Sequence, residues 1–261
     1  MRIVSIQSSA AAEYRYRNAA PGSRGTVVVS LPVLHGVVDG LPAGVDAVVM
    51  TSDLQGRELA GRRLLGEVVP GMLLEGGHVD RRERVVALLA GDLYASPGAE
   101  LRGATGDVRE VWRAFANSFA AVAGVCGNHD TFGEQSPADF ARTEAVTILD
   151  GDLCDVAGLR VAGVSGIVGK LSKPNRKDEQ SFSRMVDDVL LSGADVVLLH
   201  QGPQGNGPRD KGSPAARASI TAMETPPLVA FGHCHWEVPL LEEGGRQMLN
   251  LDGRVVVLRA A

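Results

Sequence analysis

Three cysteines, at 126, 154 and 234, are scattered along 261 residues with no CxxC pair among them. An odd, dispersed set of thiols builds no disulfide framework. Three reduced cysteines are therefore expected, in a reducing compartment such as the cytoplasm. There is no surplus of positive charge either: 26 Lys and Arg stand against 31 Asp and Glu, a net charge of −5. Wholesale coating of a nucleic-acid backbone needs a cationic surface, so only a local basic patch is left open. No apolar run reaches the roughly 18 residues that span a bilayer. The opening "MRIVSI" is too short for the apolar core of a signal peptide, and no membrane partner is expected. Internal repeats and long low-complexity segments are also lacking.

What is present is a series of short apolar runs, each bounded by turn residues: "VDAVVMTSD", "ERVVALLAGD", "AAVAGVCGN", "LRVAGVSG", "ADVVLLH" and "PPLVAFGH". Such runs suit strands buried on both faces. Between several of them lie helix-like stretches, "GRELAGRRLLGEVV", "GDVREVWRAFANSFA" and "DEQSFSRMVDDVLLS". This alternation predicts an α/β architecture with right-handed crossovers, organised as one domain over residues 1–261. Within residues 1–44, "MRIVSI" and "GTVVVSLPVL" are read as strands and the intervening "QSSAAAEYRYRNAAPGSRG" as a loop. The segment is either an N-terminal part of the same domain or an extension facing a partner. Two further loops carry charge, "GKLSKPNRKDEQ" and "GPQGNGPRDKGSPAAR", and are expected to be solvated.

The apolar runs share a feature: they end on polar residues able to bind metal. The first stops at Asp53, with Gln55 two positions on, and i and i+2 of an extended segment point the same way. The others give Asp92, then Asn128, His129 and Asp130 in "GNHD", His200, and His233 and His235 in "GHCH". One such residue would be a turn or a cap. A whole set at the carboxyl ends of strands matches the place where open α/β sheets bind ligands. Carboxylates, an amide and imidazoles together suit a pair of divalent ions, which binds a phosphoryl oxygen and lowers the pKa of a water. In His-Cys-His the two imidazoles share one face and the thiol takes the other, so Cys234 is not expected to ligate.

The order Asp53…Asp92…"GNHD"…His200…"GHCH" resembles that of the calcineurin-like metallophosphoesterases, and the match runs from Asp53 to His235. The resemblance implies a four-layer α/β/β/α sandwich with two divalent metal ions at the strand ends. It assigns metal one to Asp53, Asp92 and His235, and metal two to Asp92, Asn128, His200 and His233, with Asp92 bridging. His129 is left uncoordinated, to stabilise charge or protonate the leaving oxygen. Asp130 either orients that imidazole or caps a helix. The chain departs from the family at Gln55, where histidine is the rule. A neutral amide oxygen is a weaker donor to a transition metal than imidazole, so Gln55 either ligates metal one through oxygen or holds a metal-bound water. Site one is then expected to be weak and to favour a harder ion; Mn²⁺ leads, with Fe, Zn and Mg²⁺ as alternatives.

The expected activity is phosphoester hydrolysis by metal-activated water. The two basic loops, with Lys170, Lys173, Arg176, Lys177, Arg209, Lys211 and Arg217, tilt the choice toward a phosphodiester such as a nucleotide or a nucleic-acid end. The alternatives are a phosphomonoesterase, acting on a protein or a metabolite, and a metal-dependent binding module without turnover. Arg57 is read as a solvated arginine rather than a phosphate contact, and Trp236 as core. His35 and His78 are read as surface or structural residues. Tyr94 either lines the cleft or does not.

Overall fold

The runs Ala47–Ser52, Val85–Leu89 and Leu228–Gly232 are buried at every residue. A strand with no solvated face needs cover on both sides. The computed structural model, which describes residues 1–22 and 25–261, supplies that cover with two sheets and two groups of helices. The larger sheet runs in the order Val146–Ile148, Ala121–Gly124, Val85–Leu89, Ala47–Ser52, Arg254–Ala260, Thr26–Val38, Ala12–Ala19 and Arg57–Glu58, with Ile3–Ile6 also paired to Thr26–Val38. The smaller runs Leu153–Val156, Leu159–Val164, Val196–Gln201, Leu228–Gly232, Arg246–Asn250, Leu240–Glu243.

Alternation along the strands sorts the side chains into three apolar layers. Ala47 and Val49 join the layer under the helices α1 (Leu65–Glu75), α2 (Arg109–Ser118) and α3 (Pro137–Thr143), through Leu65, Val69, Trp112, Phe115 and Phe140. Val48 and Met50 face the other way, onto Val161, Leu198 and Ala230 of the smaller sheet. The far side of that sheet, with Val197, Leu199 and Phe231, packs on Phe182, Val186 and Val189 of α4 (Glu179–Leu191) and Ala216 and Ile220 of α5 (Pro214–Ala222). The layers therefore run helices, sheet, sheet, helices.

The six apolar runs all form strands, two of the helix-like stretches hold α2 and α4, and the first, residues 56–69, holds the short strand Arg57–Glu58 and only the start of α1. The stretch 7–25 differs from its expected loop: Ala12–Ala19 is a strand, antiparallel to Thr26–Val38, while Ser23 and Arg24 lie outside the described residues. Its Glu-Tyr-Arg-Tyr-Arg alternation puts Tyr16 in the core and leaves the arginine-bearing side more open. The strands of residues 1–44 thus belong to the larger sheet. The end of the second charged loop opens α5, where Ser213 accepts the Ala216 N–H at 3.1 Å and Pro214 takes the first turn, as caps of this type do. The strand Arg254–Ala260, outside the expected runs, lies between Ala47–Ser52 (antiparallel) and Thr26–Val38 (parallel). Among the described residues, no helix is long and apolar enough to cross a membrane.

Candidate metal centre

The strands Ala47–Ser52, Val85–Leu89 and Ala121–Gly124 run parallel, as do Val196–Gln201 and Leu228–Gly232 in the other sheet. Their carboxyl ends bring Asp53, Asp92, Asn128, His200 and His233 to one edge, where the two sheets are stitched together. His200, fully buried, donates Nδ1–H to the Ala90 carbonyl across the sheets at 2.7 Å. That bond turns Nε2 toward the site, the orientation usual for a ligating histidine. Nε2 lies 3.2 Å from Asn128 Oδ1 and 3.4 Å from Asp92 Oδ1. Asp92, His200 and His233 each offer a ligand atom within 4.8 Å of the others. One carboxylate, two imidazoles and the Asn128 amide oxygen form a donor set that fits a divalent ion, and these are the four residues expected at metal two.

The backbone is bent to reach this arrangement. Asp53 (φ 54°), Asp92 (φ 56°) and His233 (φ 59°) are all in the left-handed region, which costs a non-glycine residue of order ~1–3 kcal/mol and is typically held only where a site requires it. Glycine is needed beside two of the motifs. A Cβ on Gly91 would meet Gly127 N at 2.3 Å, and one on Gly127 would meet Asp92 N and Oδ1, each at 2.1 Å. The Gly-Asp and Gly-Asn loops can thus touch backbone to backbone.

Electrostatics follow from burial and crowding. Burial disfavours the Asp92 charge, but His200 and His129 outweigh it and hold the carboxyl down at about 2. Burial likewise disfavours charged His200, and Asp92 and Asp53 overcome it to raise the ring to about 9. His233, desolvated and next to His200, falls to about 4. Burial, with Asp252 and Asp92 nearby, pushes Asp53 well above the usual carboxylate range against the opposing pull of His200. Several buried carboxylates share one edge, as a cation site requires.

The residues expected at metal one are near one another but otherwise engaged. Asp53 Oδ2 accepts from Ser52 Oγ at 2.7 Å and from the His233 N–H at 2.8 Å. His235 Nδ1 pairs with Asp252 Oδ2. Gln55 donates its amide nitrogen to Asp92 Oδ2 at 2.9 Å, and so supports the central carboxylate.

Asp130 also requires correction, in both readings. Its carboxylate is buried and accepts the backbone N–H groups of Asp92 (2.9 Å), Leu93 (2.8 Å) and Gly127 (2.7 Å). It therefore ties the Gly-Asp loop to the Gly-Asn loop, and neither orients the His129 ring nor caps a helix. Burial and the Asp92 charge raise its carboxyl to about 6. The His129 ring meets Thr105 Oγ1 instead, 3.2 Å from Nδ1, while its backbone N–H donates to Asp92 Oδ1 at 2.9 Å. Burial holds the ring below the ordinary histidine value; Asp92 opposes this, and Arg176, His200 and Lys173 add to the lowering.

Other expectations are met or revised nearby. Arg57 is buried, not solvated: it donates to the Ser96 and Ala95 carbonyls at 2.7 Å each and to the Arg62 carbonyl, beside the Tyr94 ring. Tyr94 lines a cavity of about 240 Å³ whose floor holds Asp53, Gln55, His235 and Asp252. Its walls come from the hairpin that carries Tyr16, Asn18 and Val29 and from the loop with Leu101 and Arg102. Trp236 packs edge-on against Phe231 in the core. His35 and His78 pack on each other, with ring nitrogens 3.0 Å apart. Cys234, buried, faces the Gly202 carbonyl. Of the basic-loop residues, Lys177 is bound to Asp150, Arg209 to Glu237 and Arg217 to Glu243, while Arg176 and Lys173 lie near enough to His129 to lower its pKa.

Sequence reasoning missed Asp252, Thr105 and Asn175. The Asn175 amide donates to the Gly127 and Asp130 carbonyls at 2.7 and 2.9 Å and so props the "GNHD" loop. Asp252 had a signal, since "MLNLDG" is one more apolar run that ends on a carboxylate. The other two had none, being a threonine and an asparagine in polar loops.

No family model and no curated protein matches this chain. Among solved structures, it is similar to the calcineurin-like phosphoesterase YfkN from Bacillus subtilis, at 15% identity over 72% of this chain and 71% of that one, with a TM-score of 0.44. It is also similar to a mutant cold-active protein tyrosine phosphatase, at 13% identity over 97% of this chain and 91% of that one, with a TM-score of 0.31. At such distances the chemistry has to be read from this chain's own side chains.

Proposed function

We propose that this chain is a metal-dependent phosphoesterase that prefers a phosphodiester of nucleotide type. The observation that carries the reading is the group of buried Asp92, buried His200 and half-buried His233, with Asn128 beside it and the adjacent His129 ring paired with Thr105. Asn128, His200 and His233 would hold metal two and Asp53 and His235 metal one, with Asp92 a ligand to both. When bound, two divalent ions, Mn²⁺ first among them, neutralise phosphoryl charge and make a water acidic enough to attack.

The chain's own residues supply the rest. His129 stands where it can hydrogen-bond a phosphoryl oxygen or give a proton to the departing one. A module that merely held metal would have no use for a ring so placed. Asp130 keeps the two motif loops in register through three backbone N–H groups.

The preference for a diester rests on the two-sided surroundings. On the Asp53 and His235 side lies the cavity of mixed polar and apolar lining that includes Tyr16, Tyr94 and Leu101. On the His129 side stand Arg176 and Lys173. A diester has two ester arms to place, one in the cavity and one along the cations, whereas a monoester has one. The acid-rich whole argues for a small substrate or a strand end rather than a long duplex. We take the chain to act as one domain in a reducing compartment such as the cytoplasm. The test compares kcat/KM for bis-p-nitrophenyl phosphate and p-nitrophenyl phosphate on Mn²⁺-loaded protein. A higher value for the diester supports the proposal. A higher value for the monoester would replace it with a phosphomonoesterase, and no turnover of either, or of a nucleotide panel, with a binding module.

A further inference from the structure

Asp252 stands where the chain passes from the smaller sheet to the larger, between the strands Arg246–Asn250 and Arg254–Ala260. Its position is fixed on three sides. Its backbone bridges to Ser52, its N–H donates to Asn250 Oδ1 at 2.9 Å, and Gly253 N–H donates to the Ser52 carbonyl at 3.2 Å. The residue is thereby locked beside Asp53, the first motif carboxylate. Its side chain is 11% exposed, and Oδ2 pairs with Nδ1 of His235. With Asp53, Gln55 and His235 it forms the floor of one cavity.

Two independent observations meet here. The first is the carboxylate–imidazole pair, which fixes the ring and leaves Nε2 as its lone-pair donor. The second is Gln55, which brings no charge and no nitrogen lone pair to metal one and whose amide nitrogen donates to Asp92. Metal one is therefore short of one donor, and an extra anion lies on the same floor. We propose that Asp252 is a positioning residue of metal one: it fixes His235 with Nε2 available to the metal, and its negative charge beside Asp53 makes up for the neutral amide at 55. The proposal rests on the reading of this edge as a metal centre.

The test is Mn²⁺ binding to the full chain, followed by calorimetry and by electron paramagnetic resonance, neither of which depends on turnover. Asp252→Asn keeps the shape, and circular dichroism and melting temperature serve as controls for the fold. The expected result is a loss of roughly 10–100-fold in affinity at the weaker site, as for other groups that orient a ligating histidine, with the tighter site unchanged. In the Asp252→Asn background, Gln55→His should restore part of that affinity. In a His235→Ala background Asp252→Asn should cost less than in wild type, because part of its effect passes through that ring and only the part due to its charge remains. Equal affinities in wild type and Asp252→Asn would overturn the proposal, as would equal losses at both sites in a folded variant. A wild-type chain that binds no metal at all would overturn the metal-centre reading itself, and this proposal with it.

Discussion

Removing the Arg57 guanidinium tests whether the cavity wall is held from behind. Arg57 donates to the Ser96 and Ala95 carbonyls, each at 2.7 Å and each on a buried residue, and to the Arg62 carbonyl on an exposed one. Hydrogen bonds to a charged group contribute ~1.5–3 kcal/mol each. The exposed carbonyl regains water and counts for little. The two buried ones are worth ~3–6 kcal/mol, partly offset because the variant no longer has to desolvate a guanidinium, so Arg57→Ala should cost about 2–4 kcal/mol net. In a chain of this size that lowers the melting temperature by roughly 5–15 °C, and urea unfolding gives the free energy directly. Because residues 95–102 lie between Arg57 and the cavity, amide exchange should rise there first. KM should also rise more than kcat falls. Arg57→Lys should recover less than half, since a compact ammonium cannot bridge both carbonyls as a fork does. A cost below about 1 kcal/mol, the range of an ordinary surface change, with unchanged exchange in this loop, would refute the strut.

His129→Ala should leave Mn²⁺ content near normal while it slows turnover by ~10²–10⁴-fold; Asp92→Ala should lose metal as well, and equal metal loss in the two would remove His129 from its catalytic role. Gln55→His should tighten metal one and shift its preference from Mn²⁺ toward Zn²⁺, read by metal competition; an unchanged preference would make residue 55 a bystander to selectivity. Burial and the Arg259 guanidinium hold His35 and His78 below the ordinary value of 6.5. The unfolded chain therefore takes up protons first, so their contribution is present above that pH and is lost as pH falls from there toward their folded values. His78→Gln should accordingly show a smaller drop in melting temperature between about pH 7.5 and about pH 5 than wild type, and an equal drop would assign the acid sensitivity elsewhere.

The meeting of these polar residues was legible because they follow apolar strands, and parallel strands deliver their carboxyl ends to one edge. What each polar group does there was not legible, because partners are set by the tertiary fold. Asp130 reads as an aid to its neighbour His129, yet its three donors include two, at 92 and 93, from another loop. Arg57 reads as solvated because its acceptors are carbonyls at 95 and 96, which carry no sequence signal. Asp252 pairs with His235 only because Arg254–Ala260 inserts beside Ala47–Ser52. The strand Ala12–Ala19 was hidden by its own charge: an edge-side strand with arginines on its open face looks polar until the tyrosines are seen to alternate inward.

The most direct test of the account is a metal titration of chelator-stripped protein with hydrolysis of bis-p-nitrophenyl phosphate followed at each point. Stripped protein should be inactive, and activity should appear with the weaker of two Mn²⁺ equivalents, the one the proposal assigns to Asp53 and His235. Full activity in the stripped protein, or no activity on this or any nucleotide ester with both sites filled, would contradict the assignment of this edge as a hydrolytic metal centre.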